Sequence, residues 1–530
     1  MSVINTRGLR QRGLKGWRTV ERYFDMAFGS ALNPLRHLGT IGFLALWLLA
    51  ASGVLLYALY DTSVDGAWLS VEGLAHLPMG LGRLLRGLHR YAADLLMLGV
   101  SLHVLREWLH GHEHGARRFH WLTGVPLLVF CSMSAIGGFW LAWDRLGQYS
   151  ALSTAEWLDA LPLLASPLAR NFLSHASFND RMFSLFIFVH VGLPLLLLFG
   201  LWFHIQRLAH VAMLPPRRLA FGVILALALL ALARPVLSHA PAALDQVPAQ
   251  LRLDWLLLWL HPLTDATSPG FTLALAGAAV LVLLALPFLP RTPRPAVAVV
   301  DPKNCSGCTW CSADCPYAAI TMAPHPDHPG HLLAQVDADL CTSCGICAGA
   351  CPSSTPFRAG QRLVTGIDMP QLPIDALRRR LHAGLATSKE ERPIVMFSCR
   401  HGASDAHLRG ANPRGAGPRG ADLHVIELLC AGQLPPSFIE YAMRHGAAGV
   451  LVAACREGGC EFRLGERWMA QRLMRQRMPQ LRIHASAVPL QLAFAGPGEE
   501  PLLDQALHGL RERIPAMSPH MSMNANEAIH

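Results

Sequence analysis

Two pairs of histidines with identical spacing lie inside apolar stretches of this chain. His89 and His103 are fourteen residues apart, and so are His190 and His204. Fourteen residues are close to four full helical turns, so each pair lies on one helix face, about 21 Å apart along the axis. A polar side chain in an apolar span is costly and indicates function. Since imidazole is a common iron ligand, the doubled spacing predicts two helices that hold two haems.

The composition indicates a membrane bundle followed by a soluble part. Of the 530 residues, 52% are hydrophobic and 15% are charged, and the apolar excess is concentrated before residue 290. A hydrocarbon core of about 30 Å requires about 20 apolar residues per helix. Six stretches are long enough, which predicts six transmembrane helices: 38–60, 85–108, 123–143, 183–206, 219–237 and 271–289. The length predicts three or four domains in all.

The distribution of basic residues predicts the orientation of the bundle. The N-terminal stretch MSVINTRGLRQRGLKGWR is basic and lacks the short apolar run of a signal peptide. Arginines are also frequent after the second and fourth spans, whereas acids follow the first and third. The positive-inside rule then places both chain ends in the cytoplasm, with the bundle in a bacterial inner membrane. The net charge of +9 follows from this orientation rather than from nucleic-acid binding.

Residues 1–290 resemble cytochrome b of quinol-oxidising respiratory and photosynthetic complexes. The resemblance rests on LLRGLHRYAADLLMLGVSLHVLREWL, on LTGVPLLVFCSMSAIGGFWLAWDRLGQYSA and on the fourth span. It implies that His89 shares one b-type haem with His190, and that His103 shares the other with His204. It also implies that the chain forms a homodimer.

Three arginines match basic positions of that family: Arg86, Arg90 and Arg106. The resemblance implies that they neutralise haem propionates, and the alternative is that they anchor helix ends at the membrane interface. The photosynthetic branch attaches a further haem through a cysteine, where this chain has His37. We therefore predict two b-type haems and no covalent one.

The stretch VPAQLRLDWLLLWLHPL at 247–263 resembles the outer quinol-site loop of the family. Asp254 and Trp255 stand where the family has Glu-Trp within a Pro-Glu-Trp-Tyr motif. The resemblance implies quinone as the substrate and Asp254 as the carboxylate that moves a proton at the quinone oxygen. The neighbouring residues depart from the motif, and a plain interfacial acid is the alternative.

Four further histidines of one loop and the single cysteine of this half are interpreted as structural residues. His110, His112, His114 and His120 are interpreted as a solvated cytoplasmic loop, with a metal or proton-antenna site as the alternative. Cys131 is expected to act as a small buried hydrophobe.

Two cysteine runs follow a proline-rich linker. Their members are Cys305, Cys308, Cys311 and Cys315, then Cys341, Cys344, Cys347 and Cys351. In each C-x2-C-x2-C-x3-C-P run, three thiolates can hold one [4Fe-4S] cluster while the fourth ligates the other cluster. One cluster should take Cys305, Cys308, Cys311 and Cys351, and the other Cys341, Cys344, Cys347 and Cys315. Residues 291–358 resemble bacterial-type ferredoxins, which implies a ferredoxin-like α+β domain, with a zinc site as the alternative.

Residues 393–512 alternate apolar strands with helices, which predicts a small α/β domain with a parallel sheet. The predicted strands are IVMFSC, LHVIELLC, AGVLVAAC and LRIHASAV. Three of them end in cysteine, at Cys399, Cys430 and Cys455, and Cys460 follows in a Gly-Gly turn. Because the carboxyl ends of parallel strands meet in one crevice, we expect these thiols to hold a [2Fe-2S] cluster. Buried structural cysteines are the alternative.

The same region resembles the small iron–sulfur subunit of methyl-viologen-reducing hydrogenase, on SCRHGA and ELLCAGQLPPSFIEYAMRHGAAGVLVAACREGGC. That subunit joins its enzyme to the flavoprotein of heterodisulfide reductase. The resemblance implies a cytoplasmic partner: a flavoprotein similar to heterodisulfide reductase, a hydrogenase or a formate dehydrogenase. Residues 359–392 are predicted to form a helical linker, 409–422 a flexible loop and 513–530 a disordered tail.

The sequence contains no Rossmann glycine fingerprint, phosphate loop or nucleophile constellation. The predicted function is therefore electron transfer between the quinone pool, the haems, the iron–sulfur clusters and the soluble partner. Two alternatives stay open: a membrane anchor that tethers a soluble oxidoreductase, and the cytochrome b unit of a quinol-oxidising complex with a Rieske subunit.

Overall fold

The computed structural model describes residues 6–161, 173, 178–246, 251–289, 296–386, 392–409, 423–482 and 488–514. The chain divides into two compact units, Met1–Thr292 and Pro293–His530. Three predicted features lie outside the described residues: the start of the quinol-site loop at 247–250, the flexible loop from residue 410 and the tail from residue 515.

Among the described residues of the first unit, the regular elements are helices, apart from one isolated bridge between Asp144 and Pro241. Its helices are α1 Thr6–Phe28, α2 Leu38–Ala58, α3 Gly66–Gly73, α4 Leu81–His110, α5 Arg118–Ala142, α6 Arg145–Asp159, α7 Asp180–Ile205, α8 Arg217–Ala233, α9 Leu260–Ala266 and α10 Pro269–Ala285. The long apolar helices are rich in leucine, alanine and valine. An apolar segment of this length satisfies its backbone hydrogen bonds within a helix, as a lipid environment requires.

Four of the described helices are long and apolar enough to cross a membrane. They are Leu38–Ala58, Arg118–Ala142, Asp180–Ile205 and Pro269–Phe288. The predicted span 85–108 is also helical, and 219–237 is helical as far as Ala233. However, α4 carries the charged Arg90 and Asp94 beside its histidines, and α8 has only 17 residues. The membrane-type helical bundle is confirmed, and the count of six spans stays a prediction.

The core of the bundle lies between the two histidine levels. α2 packs against α4, and α5 packs against α7. Leu96 and Met97 of α4 meet Cys131 of α5 and Leu197 of α7 in one buried cluster. These positions fall midway along the fourteen-residue intervals, so apolar packing separates the two pairs of imidazoles.

The second unit begins with two short antiparallel ladders. β1 Val299–Val300 pairs with β4 Ile367–Asp368, and β2 Ile320–Pro324 pairs with β3 Leu332–Val336. The helices of this part are α11 Trp310–Asp314, α12 Ile346–Ala350 and α13 Ile374–Ala386. α13 falls within the predicted linker, and its residues Ile374, Leu377 and Leu381 are fully buried.

A four-stranded parallel sheet completes the second unit, in the order β6-β5-β7-β8. Its strands are β5 Ile394–Cys399, β6 Leu423–Leu428, β7 Gly449–Ala454 and β8 Leu490–Phe494. The helices of this part are α14 Ala406–Arg409, α15 Pro436–Arg444, α16 Gly465–Leu473 and α17 Glu500–Glu512. Leucines 503, 507 and 510 of α17 share one helix face and pack on the sheet. The predicted parallel sheet is confirmed.

The fourth strand does not lie where the sequence pattern placed it. In the predicted stretch LRIHASAV, the described residues 481, 482 and 488 are not in a strand, and 483–487 lie outside the described residues. β8 follows Pro489 and pairs with β7, with Leu490 opposite Val450. This register buries Ala493 against the core, and pairing with a distant strand therefore outweighed local β propensity.

Candidate haem and iron–sulfur sites

The four predicted haem histidines occupy two levels of the bundle. α4 carries His89 and His103, and α7 carries His190 and His204. The ring centroids of His89 and His190 are 6.3 Å apart, with 64° between the ring planes. His103 and His204 lie close enough to interact electrostatically. The structure thus brings together the same two pairs that the family resemblance implies.

Hydrogen bonds at Nδ1 orient three of these rings. His89 Nδ1 lies 3.0 Å from the Ser52 hydroxyl, and His190 Nδ1 lies 2.9 Å from the Ser134 carbonyl. His204 Nδ1 lies 3.1 Å from the Thr123 hydroxyl. Both hydroxyls donate their own proton to a carbonyl one turn earlier, so they accept from the imidazole. We therefore assign the ring proton to Nδ1, which places the lone pair for iron on Nε2.

Four glycines lie against the four rings, and they share the fourteen-residue spacing. They are Gly39 and Gly53 on α2, and Gly124 and Gly138 on α5. An added Cβ atom would lie 3.7 Å from His103 Cε1 at Gly39, 3.2 Å from His89 Cε1 at Gly53, 3.1 Å from His204 Cε1 at Gly124 and 3.0 Å from His190 Cε1 at Gly138. Glycine lets these helices approach the imidazoles without displacing them, which fits a site that depends on ring orientation.

Two of the predicted propionate partners lie near opposite histidine levels and are partly buried. Arg86 donates to the Ser238 hydroxyl at 2.9 Å and lies 3.9 Å from Glu72. Arg106 contacts Glu107 at 3.0 Å, and its buried Nε atom lies 3.6 Å from the Glu21 carboxylate without a hydrogen bond among the described residues. A buried guanidinium donor without a hydrogen bond is costly, so Arg106 fits an anion such as a propionate.

Asp254 and Arg90, both predicted site residues, form an ion pair with each other. Asp254 Oδ2 contacts the Arg90 guanidinium, and Arg90 also lies 2.5 Å from Asp94. Asp254 Oδ1 accepts from the backbone amides of Leu256 at 3.1 Å and Leu257 at 2.7 Å. Arg90 follows His89 in α4, so the predicted quinol-site acid lies at the His89 end of the bundle. Both of its carboxylate oxygens are already engaged there.

A buried histidine near this end was not singled out from the sequence. The His261 side chain is fully buried in α9, and its Nε2 atom lies 3.0 Å from the Ser150 hydroxyl. Its Nδ1 atom has no hydrogen-bond partner among the described residues. The Tyr149 ring centroid is 5.8 Å away, and the Tyr149 hydroxyl donates to Asp265 at 2.6 Å. A buried polar atom without a partner indicates a site for a polar ligand group.

The histidine-rich segment after α4 is packed rather than solvated, which corrects the sequence interpretation. His112 and His114 have side chains only 12% and 17% exposed, and His112 Nδ1 lies 2.5 Å from Glu107. His120 belongs to α5, with its ring centroid 5.9 Å from that of His204. The ring nitrogens of His112 and His114 find polar partners within the protein, and the His120 ring packs against that of His204.

The eight cysteines of the two runs line two separate cavities. One cavity of about 330 Å³ is lined by Cys315, Cys341, Cys344 and Cys347, and another of about 290 Å³ by Cys305, Cys308, Cys311 and Cys351. These are the crossed sets expected for two [4Fe-4S] clusters. Burial raises the pKa of Cys311 and of Cys344 to about 12, so these thiols release their protons only when a strongly electrophilic centre such as iron binds.

Four further thiols meet at the carboxyl end of the parallel sheet. Cys399 Sγ lies 3.5 Å from Cys455 Sγ, and Cys430 Sγ lies 3.9 Å from Cys460 Sγ. Hydrogen bonds also link Cys399 to Cys430 and Cys455 to Cys460, which closes a ring. The bonds from Cys430 and Cys455 lower the pKa of Cys399. This ring fits four thiolate ligands of a [2Fe-2S] cluster or of one tetrahedral metal ion.

A glycine and a buried acid border this ring of thiols. An added Cβ atom at Gly465 would lie 2.0 Å from Cys430 Sγ, so no larger residue fits there. Glu466 is 4% exposed, and burial, with Cys460 beside it, raises the pKa of its carboxyl to about 9. The carboxyl is therefore neutral at pH 7 and adds no negative charge beside the thiolates.

Comparison with known families finds a match for three segments of the chain. Residues 24–212 match the family model for cytochrome b/b6/petB, residues 304–355 match a 4Fe-4S dicluster domain, and residues 394–517 match the delta subunit of methyl-viologen-reducing hydrogenase. The three resemblances are confirmed. A solved chain titled "Hyperthermophilic respiratory Complex III" is 20% identical with a TM-score of 0.39, and the alignment covers 48% of this chain and 76% of that chain.

The matched cytochrome b region contains all four histidines and all four glycines but ends before Asp254 and His261. The glycines could have been found from the sequence, because their spacing repeats that of the histidines. His261 had no such signal, since its burial and its unpartnered nitrogen depend on the fold.

Replacing one of these glycines should damage one haem site. We expect Gly138→Ala to displace the His190 ring, because its Cβ would lie 3.0 Å from Cε1, and to lower haem occupancy at that level or shift its reduction potential. Reduced-minus-oxidised spectra of the purified protein measure both quantities. Gly99→Ala is the control, because nothing lies within 4 Å of a Cβ at Gly99 on α4. Identical spectra for the wild type and both variants would contradict the role of Gly138.

Proposed function

We propose that this chain carries electrons between quinone in the membrane and a soluble redox partner. One observation carries the proposal: a single chain holds two histidine pairs in an apolar bundle and three separate cysteine sets in its second unit. In this proposal the histidines hold two b-type haems, and the cysteines hold two [4Fe-4S] clusters and one [2Fe-2S] cluster, which all exchange single electrons. The matches to cytochrome b and to the dicluster domain support a membrane electron-transfer role.

In this proposal the soluble partner binds to the α/β domain. Residues 394–517 match a hydrogenase delta subunit, which supports a redox partner on that domain. The partner is a flavoprotein similar to heterodisulfide reductase, a hydrogenase or a formate dehydrogenase, on the cytoplasmic side of a bacterial inner membrane. Purification of the chain from native membranes under mild conditions, followed by identification of the proteins that accompany it, tests this part.

The quinone site lies at the His89 end of the bundle in this proposal. Asp254 supplies a carboxylate beside Arg90, and His261 supplies a buried nitrogen without a partner among the described residues. An imidazole can donate to or accept from a quinone oxygen, and the Ser150 hydroxyl holds its other nitrogen in place. Apolar surroundings suit the quinone ring and its tail.

We expect His261→Gln to slow haem reduction by added quinol at least tenfold, because glutamine cannot take up a proton as imidazole does. Asp254→Asn should also slow this step, since it removes both the carboxylate and its ion pair with Arg90. Stopped-flow absorbance of the haem bands measures the rate, and dithionite-reduced spectra should stay unchanged. His76→Gln, at an exposed position, is the control. Unchanged rates in both site variants would exclude a quinone site at this end.

The decisive experiment adds quinol to the purified full-length chain and follows both haem and iron–sulfur signals. We expect the haems to be reduced within the time of mixing and the clusters to equilibrate with them without another subunit. A membrane anchor would show haems or clusters that quinol does not reduce. The cytochrome b unit of a Rieske-containing complex would require the Rieske subunit for net quinol oxidation.

A further inference from the structure

One buried arginine joins the two cysteine-bearing parts of the second unit. The Arg472 side chain is 0% exposed, and its guanidinium lies 2.6 Å from the carboxylate of Asp314. It also donates to the carbonyl of Gly432 at 2.8 Å. Asp314 directly precedes Cys315, and Gly432 lies two residues after Cys430. Burying an ion pair costs desolvation and often brings little net stability, so its role here is better sought in geometry and charge.

The same interface brings two backbones into close contact. An added Cβ atom at Gly349 of α12 would lie 2.2 Å from the carbonyl oxygen of Gly432. Gln433 fixes this turn, because its amide donates to the Leu372 carbonyl at 2.9 Å and accepts from the Leu429 amide at 2.9 Å. α12 contains Cys347 and ends next to Cys351.

One buried group spans the contact. Its members are Cys344, Ile346, Cys430, Leu464 and Trp468. Cys344 belongs to the cavity lined by Cys315, Cys341, Cys344 and Cys347, and Cys430 belongs to the ring of four thiols. We call the four cysteines of that cavity, Cys315, Cys341, Cys344 and Cys347, the second cysteine set. A ligand of each site thus lies in the same packed cluster of side chains.

We propose that electrons pass between the ferredoxin-like part and the α/β domain through this second cysteine set, and that Arg472 is the positioning residue for the passage. In each step one site is oxidised by one electron and the other is reduced by one, and no bond forms or breaks. The inference rests on the proposed function, because it requires a cluster at both sites. Close packing at this contact favours the passage, since the rate of electron transfer falls steeply with separation.

Arg472 and Arg477 both pair with Asp314, so these three side chains together place one net positive charge beside the two sites. A cluster gains negative charge when it is reduced, and a nearby buried cation stabilises the reduced form. The Arg472 guanidinium is held by Asp314 on one side and by the carbonyl of Gly432 on the other. Loss of the guanidinium should therefore lower the reduction potential of the cluster at the ring of four thiols.

The first experiment identifies the route with two matched variants of the full chain, Cys305→Ser and Cys341→Ser. Each replaces the first cysteine of its run, and both thiols are half-buried. In the dithionite-reduced wild type, EPR spectra should show the [2Fe-2S] signal broadened by magnetic coupling to a nearby [4Fe-4S] cluster. We expect Cys341→Ser to remove the broadening and Cys305→Ser to keep it. The reverse pattern overturns the inference, and so does a wild-type [2Fe-2S] signal without broadening. A wild-type protein without any [2Fe-2S] signal would instead refute the cluster content of the proposed function.

The second experiment tests Arg472 by EPR-monitored redox titration of the full chain. We expect Arg472→Met to change the oxidised-to-reduced ratio of the [2Fe-2S] cluster at least tenfold, which for one electron is about 59 mV towards lower potential. Arg467→Met is the control, because Arg467 lies on the same helix but is exposed, and it should change the ratio much less. Equal shifts in the two variants overturn the role of Arg472.

Arg472→Lys keeps the test decisive if the methionine variant does not load its clusters. Lysine retains the charge but not the planar set of donors, so the potential should stay near that of the wild type while the broadening weakens. An unchanged spectrum in this variant contradicts the positioning role.

Discussion

Replacement of His103 by alanine should remove one of two haems and leave the other. His103 and His204 supply the two imidazoles of one level, and alanine offers no ligand in place of the first. The other level has its own ligands, with His89 held by the Ser52 hydroxyl and His190 by the Ser134 carbonyl. The haem-to-protein ratio of the purified chain should therefore fall by about half.

The pyridine haemochrome assay measures this ratio, and low-temperature spectra show which of the two haem bands is lost. His110→Ala is a matched control on the same helix, because the His110 ring is held by the Arg106 carbonyl at 2.9 Å. It should retain both haems. A folded His103→Ala protein that still carries two haems would show that the histidine pairs are assigned wrongly.

The features that the sequence predicted best are those in which ligand chemistry sets both residue type and spacing. Iron requires imidazole or thiolate, and a helix places residues fourteen apart on one face. The C-x2-C-x2-C-x3-C runs are equally local, and the structure gathers their members into two cavities as the crossed pattern predicts. None of these inferences needed the rest of the fold.

Predictions that depend on contacts between distant segments were less accurate. β8 lies after Pro489 because its register with β7 buries Ala493, and no local pattern distinguished this stretch from the one before it. The count of six spans stays a prediction, since α4 combines histidines and charged side chains with its apolar residues. Hydropathy alone therefore describes a functional helix poorly.

The ion pair of Arg472 and Asp314 could not be predicted at all. The two residues are 158 positions apart, and an isolated arginine in an amphipathic helix normally indicates a solvent-exposed face. Only the packing of α16 against α11 and α12 shows that this arginine is fully buried. Such long-range polar contacts between domains follow from the assembled fold.

Replacement of Cys430 by alanine should remove the [2Fe-2S] cluster while both [4Fe-4S] clusters remain. Cys430 belongs to the ring of four thiols and lines neither of the two cavities formed by the cysteine runs. Three remaining thiols leave one iron without its full ligand set, and Gly465 beside the ring offers no side chain to replace it. Non-haem iron should therefore fall by about two atoms per chain.

Iron analysis together with EPR spectra of the reduced protein distinguishes this outcome from general loss of clusters. Cys131→Ala is the control, because Cys131 is buried in the apolar core of the helical bundle and belongs to none of the cysteine sets, so its loss should change neither iron nor spectra. Zinc rather than iron in the wild-type protein, released in Cys430→Ala, would mean that the ring holds a structural metal ion. The α/β domain would then have no electron carrier of its own, and electrons would have to leave the chain from the [4Fe-4S] clusters.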